Sequence, residues 1–145
     1  MTLELNDPGS IIPHKGKMLL LSRIINCDLE EQTLCAEYDI TESCIFFNTG
    51  IKGVPAYVGF EFIAQAIAAF SGIRGLKPGE EPKKGYILSI SSILIDIHLF
   101  QAGDTVQIKI KESERLDQVS NFEGTIYLEG KKVLEGKLTV IETAF

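Results

Sequence analysis

Two polar residues interrupt a long apolar run, PAYVGFEFIAQAIAAFS, from Pro55 to Ser71. They are Glu61 and Gln65, four positions apart, which on a helix places them on one face, one turn from each other. A carboxylate in apolar surroundings is costly unless it is paired, hydrated or neutral. Burial is expected to raise its pKa, and a carboxyl so tuned serves as an acid or base near neutral pH. Glu61 is therefore the first candidate for proton transfer. A Glu61 that reaches solvent, or one held in a structural ion pair, fits the same residue type.

The chain has two histidines. His14 lies in a turn-like stretch, Ile11-Ile12-Pro13-His14-Lys15-Gly16-Lys17, and His98 follows Asp96 and Ile97 near the end of a strand region. A lone histidine is more often a satisfied or surface residue than a catalyst. Lys15, Lys17 and Arg23 gather near His14, and Lys83 and Lys84 follow the apolar run. They read first as a solvated face, and second as a contact for an acidic carrier or a phosphate. The three cysteines, Cys27, Cys35 and Cys44, have no CxxC spacing. They suggest neither a disulfide framework nor a zinc site and read as small buried hydrophobes. No nucleophile elbow, phosphate loop, dinucleotide fingerprint or HExxH pattern is present. Ser71 before Gly72 lacks the elbow around it. No metal and no cofactor is expected.

These residues need elements to hold them. Pro55 is expected at the first position of a helix running to Ser71, with Gly72 just past its end. The apolar positions go most of the way round, the pattern of a helix buried on nearly all sides. Strands supply the cover. Met18 to Cys27 is apolar. Thr33 to Ile40 alternates, with Leu34, Ala36, Tyr38 and Ile40 on one face. After a Pro/Gly/charge loop from Gly75 to Lys84 come Gly85 to Phe100, then Asp104 to Ser113 with Val106, Ile108 and Ile110 alternating. Gln118 to Leu128 and Lys132 to Glu142 are joined at Glu129-Gly130-Lys131, a hairpin signal. The order predicts an α+β domain, an antiparallel sheet wrapped around one long buried helix.

The whole chain, residues 1–145, fits a single domain with residues 1–10 as a loose leader. With 45% apolar and 23% charged residues it reads as an ordinary globular protein. A net charge of −6 argues against nucleic acid and against an anionic membrane surface as partners. The N-terminus carries acidic residues and no long apolar run, so it does not read as a signal peptide. Glu61, Gln65 or Asp96 breaks each long apolar stretch, so no membrane span is expected. The cytoplasm is the expected compartment.

Three stretches, in order, resemble the hotdog-fold 3-hydroxyacyl-(acyl carrier protein) dehydratases of the FabA/FabZ group. Ile12-Pro13-His14-Lys15 running into Met18-Leu19-Leu20-Leu21-Ser22-Arg23 resembles that family's opening. Pro55 through Gln65 resembles its P-G-x-x-x-x-E-x-x-A-Q helix. Gln101-Ala102-Gly103-Asp104 resembles its P-G-D turn. The form VPAYVGFEFIAQAIA is closer to a divergent branch, the ApeP-like dehydratases of aryl polyene and related pathways. One departure stands out: the family's H-F-P-G histidine before the helix has no counterpart in Ile45 to Gly53.

The resemblance implies a hotdog fold and the dehydration of 3-hydroxyacyl thioesters, carried on acyl carrier protein or coenzyme A, to 2-enoyl thioesters in fatty-acid-like or polyene biosynthesis. Glu61 matches the family's acid by position, and His14, within a matching motif, is the candidate for the missing histidine. The amides of Ala56 and Tyr57 at the helix start are expected to face the thioester carbonyl as donors, with Gln65 orienting Glu61 or its water. In the family the site lies at a dimer interface with an apolar tunnel for the acyl chain, to which Val58, Phe60, Phe62 and Phe70 are candidate contributors beside their ordinary core role. The chain is accordingly expected to be a homodimer or to pair with a related hotdog subunit. Two other readings stand beside this one: a hotdog acyl thioesterase, and a non-catalytic acyl-binding or partner subunit of a dehydratase.

Overall fold

The computed structural model describes residues 7–75 and 85–142. Its frame is a six-stranded sheet in the order β1-β2-β6-β7-β8-β4, built from β1 (Arg23–Asp28), β2 (Thr33–Asp39), β4 (Gly85–Ile95), β6 (Thr105–Leu116), β7 (Val119–Leu128) and β8 (Lys131–Glu142). Every neighbouring pair is antiparallel. A two-stranded ribbon, β3 (Val54–Pro55) with β5 (Leu99–Phe100), flanks it. One α-helix, α1 (Gly59–Gly75), lies across the concave face.

The period-two residues are where alternation puts them. Leu34, Ala36, Tyr38 and Ile40 of the β2 segment, and Val106, Ile108 and Ile110 of β6, are all buried against α1. Phe62 of the helix stacks at 5.2 Å on Tyr38 and at 5.6 Å on Phe100. Such tilted aromatic pairs add to the area they bury. The β7–β8 turn has Glu129 and Gly130 both at positive φ, 49° and 79°. That is the two-residue geometry whose twist suits a hairpin, and glycine holds one of its left-handed positions without cost.

Three boundaries differ from the sequence expectation. Met18 to Arg23 is not a continuous strand: Gly16–Met18 is a 3-10 turn and β1 begins at Arg23. Leu20 and Leu21 are buried beneath the helix instead, and the Leu20 amide bonds to a side chain, Gln65 Oε1, at 2.7 Å. Pro55 is extended (φ −54°, ψ 141°) and pairs with Leu99. A 3-10 turn, Ala56–Val58, intervenes before α1. Gly72 does not stop the helix, which runs on to Gly75. A Cβ on Gly72 would meet the Ile11 carbonyl oxygen at 2.6 Å, so this glycine admits the N-terminal segment against the helix. Of the expected leader, Pro8–Ser10 forms a 3-10 turn with Pro8 buried. Residues 1–6 of that leader, and Lys83 and Lys84, lie outside the described residues.

The helix is enclosed by its own sheet on most of its circumference. Ala56–Gly75 is long and apolar enough to cross a membrane by length and composition, and here that apolarity is used against the sheet. One stripe stays uncovered by strands: Glu61, Ala64, Ala68 and Ser71 are only half-buried. Their spacing of three and four is that of one helical face.

Candidate active site

The uncovered stripe is one wall of a cavity of about 630 Å³. Glu61, Ala64, Ile67, Ala68, Ser71, Gly72 and Gly75 line it from the helix. The segment Pro13 to Met18 forms a second wall, and the paired ends of β4 and β8, Gly85–Ile87 with Val140–Glu142, form a third. Apart from Glu61, the helical wall is small or aliphatic.

Two candidates from the sequence meet here. His14 Nε2 stands 3.7 Å from Glu61 Oε1, with the two side chains 27% and 38% exposed. His14 Nδ1 is buried and has no hydrogen-bond partner among the described residues. Nε2 is thus the nitrogen that faces both the carboxylate and the open space. At 3.7 Å the pair is too long for a direct hydrogen bond, and both side chains line the same cavity, where a substrate could meet each of them. Glu61 is less buried than a carboxylate in an apolar helix was expected to be, because the stripe it belongs to faces the cavity rather than the sheet.

Gln65 explains why the pair is held. It is 0% exposed. Its Nε2 donates to Glu61 Oε1 at 3.1 Å and to the Met18 carbonyl at 2.8 Å, while its Oε1 accepts the Leu20 amide at 2.7 Å. One amide side chain, bonded in all three directions, ties the cavity-facing side of α1 to the segment that carries His14. Lys15 lines the cavity mouth and its Nζ donates to the Gly9 carbonyl.

The remaining candidates fall elsewhere. The Ala56 amide, expected as a free donor, is donated to the His98 carbonyl at 3.1 Å, extending the β3–β5 ribbon. Tyr57 is 68% exposed, and neither residue lines the cavity. His98 is exposed in the connection between β4 and β5, and its part is this backbone contact. Val58, Phe60, Phe62 and Phe70 are buried core residues outside the cavity lining. Cys27 and Cys35 are half-buried and Cys44 is buried. Burial pushes the thiols of Cys27 and Cys35 upward, away from the reactive thiolate form.

The sequence reading missed the cavity lining and one buried ion pair. Ala64, Ala68 and Ser71 share the face of Glu61, a signal that was present in their spacing. Glu112 continues the inward face of β6 and is 2% exposed. Arg74 Nη1, at the C-terminal end of α1, donates to its Oε1 at 2.8 Å, and Gln32 Nε2 donates to the same oxygen at 3.1 Å.

An antiparallel sheet curled around one long helix is the hotdog architecture. The chain superimposes on a chain of the dehydratase heterocomplex ApeI:P from Xenorhabdus doucetiae with a TM-score of 0.84, at 21% identity over 94% of this chain and 90% of that one. Residues 6–144 match the ApeP-like family, described as ApeP dehydratase, and the chain belongs to that family. It is 26% identical over 140 residues to the 3-hydroxyacyl-(acyl-carrier-protein) dehydratase FabZ of Streptococcus thermophilus, covering 96% of each. It is 28% identical over 145 residues to the bifunctional enzyme LpxC/FabZ of Chlorobaculum tepidum, where it spans 30% of that longer protein's length.

Proposed function

We propose that the chain, read as one hotdog domain over residues 1–145, dehydrates 3-hydroxyacyl thioesters to 2-enoyl thioesters, in fatty-acid-like or polyene biosynthesis. The observation that carries this reading is the His14–Glu61 pair, 3.7 Å apart at one end of an apolar cavity. Elimination removes a proton from C2, breaks the C3–O bond and delivers a proton to the departing hydroxyl, so that water leaves. It therefore needs two proton-transfer groups flanking the C2–C3 bond. His14 Nε2 and Glu61 Oε1 divide these two transfers between them. Gln65, with no surface left for substrate, acts as a positioning residue for Glu61. The Ala56 amide is already used, so Tyr57 is the remaining candidate from the helix start for contact with the thioester.

The partner belongs to the same reading. β4 is exposed along both faces and contains no charged residue. Such an edge calls for a covering strand, and a second copy or a related hotdog subunit supplies one. The ApeI:P likeness, a heterocomplex, supports the latter. The substrate's carrier is acyl carrier protein, as for the FabZ relatives, or coenzyme A. Free thiols at Cys27, Cys35 and Cys44 fit a reducing, cytoplasmic setting.

The test is incubation of the protein, alone and with a candidate partner, with crotonyl and 3-hydroxybutyryl thioesters. Interconversion of the two supports the dehydratase. Release of free acid makes the protein a thioesterase, and neither reaction makes it a non-catalytic subunit.

A further inference from the structure

We infer that Gly72 is a positioning residue for His14: its lack of a side chain seats the strap from Pro8 to Met18 on α1, and that seat sets where the imidazole stands relative to Glu61. This rests on the proposed function and deepens it. A Cβ on Gly72 would meet the Ile11 carbonyl oxygen at 2.6 Å and Ile11 Cγ2 at 2.8 Å, with the Ile11 carbonyl carbon next at 3.5 Å. The closest of these atoms is backbone, so no change of rotamer at Ile11 relieves the contact. The strap itself must move, taking the carbonyl from 2.6 to 3.4 Å or beyond before the contact becomes ordinary.

Little slack separates Ile11 from His14. Ile11 and Ile12 are buried in the core, and their amides donate to the Pro8 carbonyl at 3.0 and 3.1 Å. Pro13, whose ring fixes φ, is the last link before the histidine. On the downstream side Gln65 holds the Met18 carbonyl and the Leu20 amide. His14 is therefore slung between two anchors on one helix, Gln65 and Gly72, roughly 10 Å apart along the axis. A shift at the Gly72 anchor is passed along this short path to the imidazole. Displacing a reacting group by about 1 Å from a distant site can cost on the order of a hundredfold in rate. Gly72 itself lies roughly 16 Å beyond Glu61 along the helix. Alanine is the better helix former, so propensity alone predicts that Gly72→Ala strengthens α1, the opposite of the effect expected on turnover. Gly72 also lines the cavity, and the competing reading is that a side chain there narrows the space for substrate.

The experiment measures kcat and KM for 3-hydroxybutyryl-pantetheine with the full-length chain, with Gly72→Ala and Ile11→Ala, and with each of these combined with His14→Ala. Circular dichroism checks that every variant is folded. Gly72→Ala is expected to lower kcat by about tenfold or more while KM stays within about threefold of wild type. In the His14→Ala background the same substitution should change kcat by less than about twofold, because the group it displaces is gone. Ile11→Ala loosens the seat from the strap's side and should show the same pattern, so it carries the test if Gly72→Ala does not fold. A second readout needs no turnover: the imidazole resonances of His14 in proton–nitrogen-15 spectra, with exposed His98 as the internal control. Glu61→Gln should shift the His14 resonances in the wild type, and that shift should largely vanish when Gly72→Ala or Ile11→Ala is also present. Unchanged kcat in both variants, a loss as large without His14 as with it, or His14 resonances that sense Glu61 equally in all backgrounds overturns the inference. A wild type without turnover rejects the dehydratase reading alone, and the His14 resonances then decide whether Gly72 sets the geometry of the pair.

Discussion

His14 and Glu61 come from segments 47 positions apart and face each other across 3.7 Å within one chain. What brings them together is a third residue. Gln65 bonds Glu61 on its own helix and both Met18 and Leu20 on the segment carrying His14. The pair is thus built on a helix and on a strap pinned to it, which is the rigid support that the proposed proton transfer would require.

If the two side chains share the proton transfers, neither is dispensable. Glu61→Gln and His14→Ala are each expected to reduce turnover of a 3-hydroxyacyl thioester by about a hundredfold or more, the range a positioned acid or base contributes. Because they act as a unit, the double variant should be little worse than either single one. A His14→Ala protein that folds normally and keeps near wild-type turnover would remove His14 from the mechanism.

Gln65→Leu tests the strap. The substitution keeps the volume and deletes every hydrogen bond, leaving the buried Leu20 amide unpaired. An orphaned buried donor costs about 1–3 kcal/mol, so the denaturant midpoint should fall. Turnover should fall further than the stability loss explains, because Glu61 and the His14 segment lose their common anchor. Gln65→Glu keeps the acceptor for the Leu20 amide but sets a second buried carboxyl against Glu61 Oε1 and the Met18 carbonyl, so it should recover neither the stability nor the activity.

The split between what was legible and what was not follows from physics along this same contact. The strands read well because alternation reports burial directly, as at Leu34, Ala36 and Tyr38. Glu61 stood out because a carboxylate in an apolar helix is costly. The helix start was misplaced because Pro55 fits an extended strand as well as a first helical turn, and only its pairing with Leu99 decides. Gly72 resembled a stop signal, but its reason is Ile11, a contact more than sixty residues away in sequence. The all-round apolar pattern hid the open stripe, since Ala64 and Ala68 are equally at home in a core and in the wall of a cavity. The Arg74–Glu112 pair was invisible for the ordinary reason that charges in separate elements carry no sequence signal of their partnership.

Acid sensitivity has one identifiable contributor on the outer face of the sheet. The Arg23 guanidinium, bonded to Asp39 and to Glu37, holds the Asp39 carboxyl below the usual aspartate range, helped by the Thr105 hydroxyl. A carboxyl whose folded pKa is depressed contributes stability above its unfolded pKa, near 3.9, and loses it as pH falls through the folded value. Asp39→Asn should therefore flatten the fall of Tm below about pH 4. The effect is small because Asp39 is nearly half exposed and its field is screened. An unchanged acid limb would assign the sensitivity to other carboxylates.

The uncharged edge strand makes a prediction about assembly. Tyr86, Leu88 and Ile93 of β4 are each more than half exposed, and a long apolar edge without charge invites pairing with another edge. Leu88→Lys is expected to convert the associated species to monomer in size-exclusion chromatography with light scattering. A wild-type chain that is monomeric and stays dispersed by itself would point to obligatory cover by a different subunit, and the variant should then lose that complex.

The ion pair that closes the helix's far end gives an asymmetric prediction. The Glu112 side chain is 1% exposed and Arg74 24%, and Arg74 also lies over the Phe70 ring at 4.8 Å. Removing charges from water is costly, and the pair's attraction repays that cost only while both members remain. Arg74→Ala strips Glu112 of its cation and deletes the cover on Phe70. The expected loss is about 3–5 kcal/mol, the usual consequence of leaving a buried charge alone. Gln32 softens this only in part, since a neutral amide donor does not balance a carboxylate. Replacing both partners, as Arg74→Met with Glu112→Leu, removes the desolvation penalty with the attraction. That double variant should be far closer to wild type than Arg74→Ala. Chemical denaturation of wild type, Arg74→Met, Glu112→Leu and the double variant reads the pair's coupling as a double-mutant cycle, with Arg74→Ala as the comparison. Equal losses in the single and double variants would mean that Arg74 matters through its packing on Phe70 and not through its charge.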